Sequence, residues 1–280
     1  MIVYTTKEEL IRHLNGLRGQ QKSIGFVPTM GALHQGHISL VTRSIQENNC
    51  TVVSIFVNPT QFNDPSDLEK YPKTPEEDLK LLREKKVNVV FMPQSHEIYP
   101  EPDHRLFNLE GLDQVMEGAT REGHFNGVAQ VVSKLFQIIQ PNRAYFGQKD
   151  FQQLVIIRHL VDLLDMNIEI VACPIIREKD GLAMSSRNIR LQPRERKEAP
   201  KIHQILAEAV EKRGDLSPQK LKLWVREQFN HHPLMELVYF EIVEDKTLSP
   251  IEAWSEEVNK VGCLAVILGG VRLIDNMNFD

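Results

Sequence analysis

Cysteine is nearly absent: Cys50, Cys173 and Cys263 are the three in 280 residues. An odd number so widely spaced builds no disulfide framework, and two of them sit inside apolar runs where a thiol acts as a small hydrophobe. A reducing, cytoplasmic setting is therefore expected. Long hydrophobic runs are missing too. No stretch reaches the length of a membrane span, and residues 1–9 show no charged segment followed by an apolar one, which argues against a membrane role and against export. Excess positive charge is the third absence, since 33 Lys and Arg against 38 Asp and Glu leave a net charge of −5. The mixed clusters at 83–86 and 194–198 read as solvated helix faces, and no basic stripe offers a surface to nucleic acid. A G-x-x-x-x-G-K-[ST] motif is also lacking, which rules out a Walker-type NTPase.

What is present can bury a core: 41% of the residues are hydrophobic, enough at this length for one large core, or for one large and one small. Apolar runs at 24–27, 51–57, 87–92, 144–146 and 168–172 are bounded by turn residues and separated by helix-period segments. One helix begins at Ile38. Another opens on Pro75 with Glu76, Glu77 and Asp78 in its first turn, and a third starts at Asp150. This alternation predicts an α/β fold with a doubly wound parallel sheet, whose ligands bind beyond the carboxyl ends of its strands. The turn after 24–27 and the loop 58–62 both follow strands and should meet at one crevice.

Beyond residue 176 the pattern changes to helical segments at 193–213 and 217–229, then apolar runs at 238–243 and 263–268 bounded by Asn, Gly and Pro. These features predict a smaller α+β domain with a partly antiparallel sheet, and hence domains of 1–176 and 177–280. The segment 63–73, with two prolines and alternating charges, reads as an exposed loop, either a plain connection or a cover for a site.

The most informative stretch is Pro-Thr-Met-Gly-Ala-Leu-His-Gln-Gly-His at 28–37. A buried strand that ends in a Gly-containing turn and opens a helix presents unpaired backbone N–H groups and the positive end of the helix dipole to a polyphosphate. Gly31 and Gly36 allow close approach. His34 and His37, three apart, share a face and can donate to one phosphate. The alternative for such a pair is that it caps the helix or packs locally. Zinc is disfavoured, because the pair has neither the i, i+4 spacing nor the adjacent Glu of an H-E-x-x-H site. The pattern is similar to the H-x-G-H signature of the class I aminoacyl-tRNA synthetase and nucleotidyltransferase superfamily, whose members attack the α-phosphate of ATP and expel pyrophosphate.

Two further segments carry chemistry. Gly147-Gln148-Lys149-Asp150 ends a strand and opens a helix bearing Gln152 and Gln153, which places a cation and two amides at the crevice. Met184-Ser185-Ser186-Arg187 sets adjacent hydroxyls beside an Arg, a set of donors suited to polyphosphate. Taken singly, Lys149 also fits a surface ion pair, and Ser185 and Ser186 a helix cap.

In order along the chain, residues 28–37, 57–62, 71–74, 124–128, 147–153 and 177–188 resemble the motifs of the pantothenate synthetase (pantoate:β-alanine ligase) family. That resemblance spans nearly the whole chain. It implies formation of pantothenate from pantoate and β-alanine, with ATP cleaved to AMP and pyrophosphate through a pantoyl-adenylate and Mg²⁺ assisting. It implies a homodimer whose subunits join a Rossmann-like nucleotide domain to a smaller lid domain. Roles follow by position. Met30, Gly31, Ala32, Leu33, His34, Gln35, Gly36 and His37 would line the ATP site, with His34 and His37 on the phosphates and His37 as proton donor. Gly147, Gln148, Lys149 and Asp150 would complete it together with Met184, Ser185, Ser186 and Arg187. Within these, Lys149 and the last three would meet phosphates, Asp150 the ribose, and Ile176 the adenine through its backbone. Gln61 and Gln153 would hold pantoate, Gln61 would also meet β-alanine, and Asn58 is a weaker candidate in that pocket. His34, His37 and Lys149 are the catalytic candidates, and no metal ligand is assigned. Gln148 stands where Glu is frequent in the family and Gln130 where Thr is common, and neither change removes a residue assigned to chemistry.

The implied chemistry follows charge. A pantoate carboxylate oxygen attacks the α-phosphorus, and fixed donors aimed at the equatorial oxygens and the departing pyrophosphate favour the transition state over the ground state. The neutral amine of β-alanine then attacks the acyl carbon and AMP leaves. No general base is evident for that step, and positioning can suffice. Water would hydrolyse the mixed anhydride, which gives a second domain reason to close. A nucleotidyltransferase acting on a phosphorylated acceptor would need extra cations where this chain has amides. A regulatory ATP-binding module would bind nucleotide without releasing pyrophosphate.

Overall fold

A computed structural model describes residues 1–63 and 65–280. Six strands, β1 (Ile2–Tyr4), β2 (Ile24–Thr29), β3 (Cys50–Ile55), β4 (Val89–Phe91), β5 (Arg143–Gly147) and β6 (Glu169–Cys173), form one parallel sheet in the order β1-β4-β3-β2-β5-β6. Ile24, Phe26 and Val27 of β2 and Val52 and Val53 of β3 are fully buried. Central strands of a parallel sheet are covered on both faces, so their sequences run apolar without alternation. From β2 the chain moves outward through β3 and β4, then returns to add β5 and β6 on the other side. The direction of winding thus reverses between β2 and β5, where a doubly wound sheet opens its ligand crevice. The strand ends at that point are Thr29 and Gly147.

Two helices set the core beside this point. Gln35–Glu47 buries Ile38 and Val41 against the sheet. His124–Ile139 buries Phe125, Val128, Val132, Leu135, Phe136 and Ile139, and Phe136 meets Phe26 and Phe146 edge-on at 6.2 and 6.4 Å. Removing each such side chain from water contributes about 1.5–3 kcal/mol.

The remaining strands, β7 (Met235–Glu244), β8 (Lys260–Leu268) and β9 (Val271–Asn278), make an antiparallel sheet in chain order. The helices Lys201–Glu211 and Pro218–Asn230 pack on it through Ile202, Leu206, Leu221, Val225 and Phe229. Contacts divide the chain into two compact units. Met1–Glu110, Arg121–Gln148 and Ile156–Pro174 form one, and Gly111–Thr120, Lys149–Val155 and Ile175–Asp280 the other. The longest stretch of the second unit begins at Ile175, and 111–120 and 149–155 group with it.

Several expectations need correction. The helix expected over 193–213 is two, Pro193–Glu198 and Lys201–Glu211, because Pro200 cannot continue the first. The segment 63–73 is not bare loop: it holds the short helix Pro65–Glu69, and Tyr71 is buried against Phe62, while Asp64 lies outside the described residues. The helix expected from Ile38 starts at Gln35, and the one expected from Asp150 starts at Phe151 after a 3₁₀ turn, Gln148–Asp150. All three cysteines are free and buried, and burial pushes the Cys50 thiol up to about 11. Among the described residues no helix is long and apolar enough to cross a membrane.

Candidate active site

The turn after β2 bends sharply, with Gly31 at φ +82° and Ala32 at φ +49°, both in the left-handed region. A Cβ on residue 31 would stand 3.0 Å from Oδ2 of Asp78 and 3.2 Å from Cγ2 of Ile55, so only glycine fits there without displacement. Asp78 itself is buried, and its carboxylate accepts from the N–H groups of Ala32 at 2.9 Å and Leu33 at 2.8 Å and from the Thr74 hydroxyl at 3.2 Å. Thr29 Oγ1 accepts from the Gly31 N–H at 3.2 Å. The unpaired amides expected in this turn are therefore engaged at 31, 32 and 33. A buried N–H without an acceptor is costly, and the fold supplies one from a distant helix.

His34 is the N-cap of the following helix. Its Nδ1 accepts from the Gly36 N–H at 3.1 Å, and Nδ1 of His37 accepts from the His34 N–H at 3.3 Å. The rings are tilted, with centroids 4.1 Å apart. Capping and phosphate binding are thus compatible, because they use different edges. With Nδ1 accepting, the neutral ring carries its proton on Nε2, and that edge is the donor an anion would meet. Leu33, His34, Gly36 and His37 are half-buried and Gln35 is exposed.

Gln61 closes the 3₁₀ turn Pro59–Gln61 after β3. Its Oε1 accepts from Asn58 Nδ2 at 3.1 Å and its Nε2 donates to the Met30 sulfur at 3.2 Å, so the loop 58–62 and the histidine turn do meet. Asn58 is buried and fully occupied: Nδ2 also donates to the Gly127 carbonyl at 3.2 Å, and Oδ1 accepts from the Tyr99 hydroxyl at 2.9 Å and the Thr60 hydroxyl at 3.2 Å. In this structure it orients Gln61. Gly127 permits the close approach, since a Cβ there would lie 2.3 Å from the Thr60 carbonyl oxygen. His124, buried at the start of its helix, places Nδ1 2.7 Å from the Gln61 carbonyl and Nε2 3.0 Å from Arg121 Nη1.

The second unit holds the other candidates. Lys149 Nζ is 3.8 Å from Asp150 Oδ1, a loose contact in which the lysine side chain is 18% exposed and the aspartate 49%. Gln152 is buried: it donates to the carbonyls of Leu112 at 2.7 Å and Val115 at 2.8 Å and accepts from the Glu117 N–H at 3.0 Å. Gln153, one step around the helix, stays half-buried. Ile176 and Met184 close a hairpin, with the Met184 N–H on the Ile176 carbonyl at 3.0 Å and a bridge between Arg177 and Ala183. Ser185 Oγ accepts from the Arg187 N–H at 3.2 Å, and 184–187 are half-buried. His203 packs on Gly181, its Nδ1 without a hydrogen-bond partner among the described residues. Burial and the Arg177 charge push its pKa below the ordinary value, against the opposing pull of Asp275.

Thus Met30 through His37, Gln61, Gly147 and Gln148 belong to the first unit, and Lys149, Asp150, Gln153, Ile176 and 184–187 to the second. Sequence reasoning missed Asp78 and His124. His124 opens the 124–128 motif, whereas acids in a first helical turn are too common to single out Asp78. Among the described residues no three of His, Cys, Asp and Glu gather to hold a metal ion.

The sequence profile of the pantoate-beta-alanine ligase family matches residues 2–278. The pantothenate synthetase of Porphyromonas gingivalis is 51% identical over 280 residues, covering 100% of each chain. Among solved structures, the pantothenate synthetase from Thermus thermophilus superposes with a TM-score of 0.91 at 40% identity, over 100% of this chain and 99% of that one. The pantoate-beta-alanine ligase from Francisella tularensis, solved in complex with beta-gamma ATP and beta-alanine, gives 0.81 at 36% identity over 100% and 98%.

Proposed function

The chain belongs to the pantoate-beta-alanine ligase family, and on that premise we propose that it joins pantoate to β-alanine at the expense of ATP through a pantoyl-adenylate. The observation that supports the site assignment best is the turn 30–37, where Asp78 holds the backbone and the two Nδ1 caps leave Nε2 as the protonated nitrogen of each neutral imidazole. A carboxylate oxygen of pantoate attacks the α-phosphorus as the bond to the pyrophosphate oxygen breaks. His34, His37, Lys149, Ser185, Ser186 and Arg187 face the charge that grows on those oxygens, His37 as proton donor. The amine of β-alanine then attacks the acyl carbon, the bond to the AMP oxygen breaks, and the amine loses a proton. Gln61 and Gln153 hold pantoate, because an amide accepts from its hydroxyls and donates to its carboxylate without adding charge. Gln61 also reaches β-alanine. Met30 through His37, Gly147 through Asp150, Ile176 and Met184 line the nucleotide.

Magnesium bound with the nucleotide would be held mainly by phosphate oxygens and water and would shield charge on the triphosphate. Residues 1–176 serve ATP and pantoate and 177–280 act as lid, the stretches 111–120 and 149–155 grouping with the latter, and the protein works as a cytoplasmic homodimer. Three buried free thiols suit a reducing compartment. ATP–pyrophosphate exchange is the test: it should require pantoate and proceed without β-alanine. Exchange that depends on β-alanine, or products lacking AMP, would exclude the adenylate.

A further inference from the structure

Strand β9 carries no residue assigned to substrate, yet its side chains hold two of the segments that do. The Asp275 carboxylate, 3% exposed, accepts from Nη1 of Arg177 at 2.6 Å and from Nη2 at 2.9 Å. Arg177 Nη1 also donates to the Gly181 carbonyl at 3.1 Å, so one guanidinium ties both the start and the tip of the hairpin that runs from Ile176 to Met184. The neighbouring Asn276, 7% exposed, donates Nδ2 to the main-chain carbonyl of Lys149 at 3.0 Å. Its own N–H is bonded to Asp275 Oδ1 at 2.8 Å. Adjacent residues of a strand point to opposite sides, which lets one dipeptide reach two separate segments.

We propose that Asp275 and Asn276 are positioning residues for adenylate formation, setting Lys149 and the donors at 185–187 at a fixed separation along the triphosphate. The inference rests on the ATP-site reading above. A lysine ammonium rides on a flexible four-carbon stem, so where it can dwell is decided by where its backbone is held. Asn276 holds that backbone by the carbonyl. On the other arm, a buried carboxylate paired bidentately with Arg177 fixes the hairpin in a way a single hydrogen bond would not. It also removes Arg177 from phosphate binding and leaves that task to Arg187. Misplacement of a catalytic group by about 1 Å can cost about 10²-fold in rate, so a clamp of this kind acts on turnover more than on folding.

The test uses the full chain with Asn276→Ala and Asn276→Asp, each alone and combined with Lys149→Ala. Asn276→Asp keeps the side-chain shape and turns the donor into an acceptor, and it serves equally if Asn276→Ala does not fold. Pantoate-dependent ATP–pyrophosphate exchange and thermal unfolding are measured on each. Either single change should lower kcat for exchange by about tenfold to a hundredfold and leave KM for pantoate within about twofold. In the Lys149→Ala background the same change should cost less than about twofold, because its effect runs through that lysine. Equal losses in both backgrounds would mean a general structural defect and overturn the proposal, as would normal exchange in the Asn276 variants while Lys149→Ala is impaired. Normal exchange by Lys149→Ala itself would remove the ATP-site reading, and the positioning role with it.

Discussion

Arg121 holds the His124 ring in one tautomer. A guanidinium has no acceptor, so the Nε2 of His124, 3.0 Å from Arg121 Nη1, must accept, and the proton sits on Nδ1, which donates to the Gln61 carbonyl 2.7 Å away. Nitrogen NMR of the imidazole should show Nδ1 protonated and Nε2 bare. The His124→Phe variant leaves the Gln61 carbonyl and Arg121 without this partner, and pantoate binding should weaken by about 1–3 kcal/mol. Gln61→Ala and Gln153→Ala should weaken it on the same scale, with ATP affinity hardly changed. Titration with pantoate and with an ATP analogue decides, and equal weakening of both ligands would move these residues to the nucleotide side or expose a folding defect.

Asp78 should be a stability residue with a kinetic consequence. Its loss in Asp78→Ala leaves the Ala32 and Leu33 amides without their acceptor, at about 1–3 kcal/mol for each donor stranded. Gly31→Ala, at a φ of +82°, should cost about 1–2 kcal/mol in backbone strain alone. Denaturant titration measures both. Pantoate-dependent exchange should fall in the same two variants, and full exchange in Asp78→Ala would mean that the turn keeps its shape without the carboxylate.

The two roles of His37 can be separated. His37→Ala removes both the imidazole and the acceptor for the His34 N–H, whereas His37→Gln keeps an acceptor at the third helical position, as in a capping box. Thermal unfolding should drop in the first and largely recover in the second. Adenylate formation should be down about 10²-fold or more in both, and also in Lys149→Ala, the usual loss for a preorganised donor. Recovery of turnover in His37→Gln would show that capping was its whole contribution.

His203 should make stability depend on pH. Burial, seconded by Arg177, lowers its folded pKa below the ordinary 6.5, so between the two values the unfolded chain binds more protons and stability rises with pH. The stabilisation is present above about pH 6.5 and is lost as pH falls below it. The melting temperature should decline from about pH 7.5 to about pH 5.5, and His203→Gln should flatten that decline. An unchanged slope would assign it to other groups.

Strands β2, β3, β4 and β5 were legible because they are buried along most of their length and their sequences run largely apolar, and the edge strand β6 was legible from its apolar residues Ile170, Val171, Ala172 and Cys173. Strand β1 was not, since Ile2 and Val3 lie exposed at the sheet edge. Nor was β9, where Arg272, Asp275 and Asn276 interrupt the apolar residues. The helix Lys7–Gly19 leaves little trace in the sequence because only Leu10 and Leu14 of its thirteen residues are buried. At the site, the histidine turn could be read from local chemistry. What holds it could not: Asp78 lies 45 residues from Leu33, and Asn276 lies 127 from Lys149, and nothing local marks such partners.

The second unit is sewn from three stretches, 111–120, 149–155 and 175–280, and that limits how the chain can be recombined. Arg272 and Glu117, 155 positions apart, share a forked ion pair, and each is a largely buried charge that is expensive without the other. A fragment of residues 177–280 would keep Arg272 and Asn276 but lose both of their counterparts. A chimaera spliced at 176 would confront one parent's β9 with the other parent's Glu117 and Lys149 backbone. Exchange of halves between homologues should succeed only when 111–120 and 149–155 travel with the C-terminal part, so the inheritable module is discontinuous in the gene.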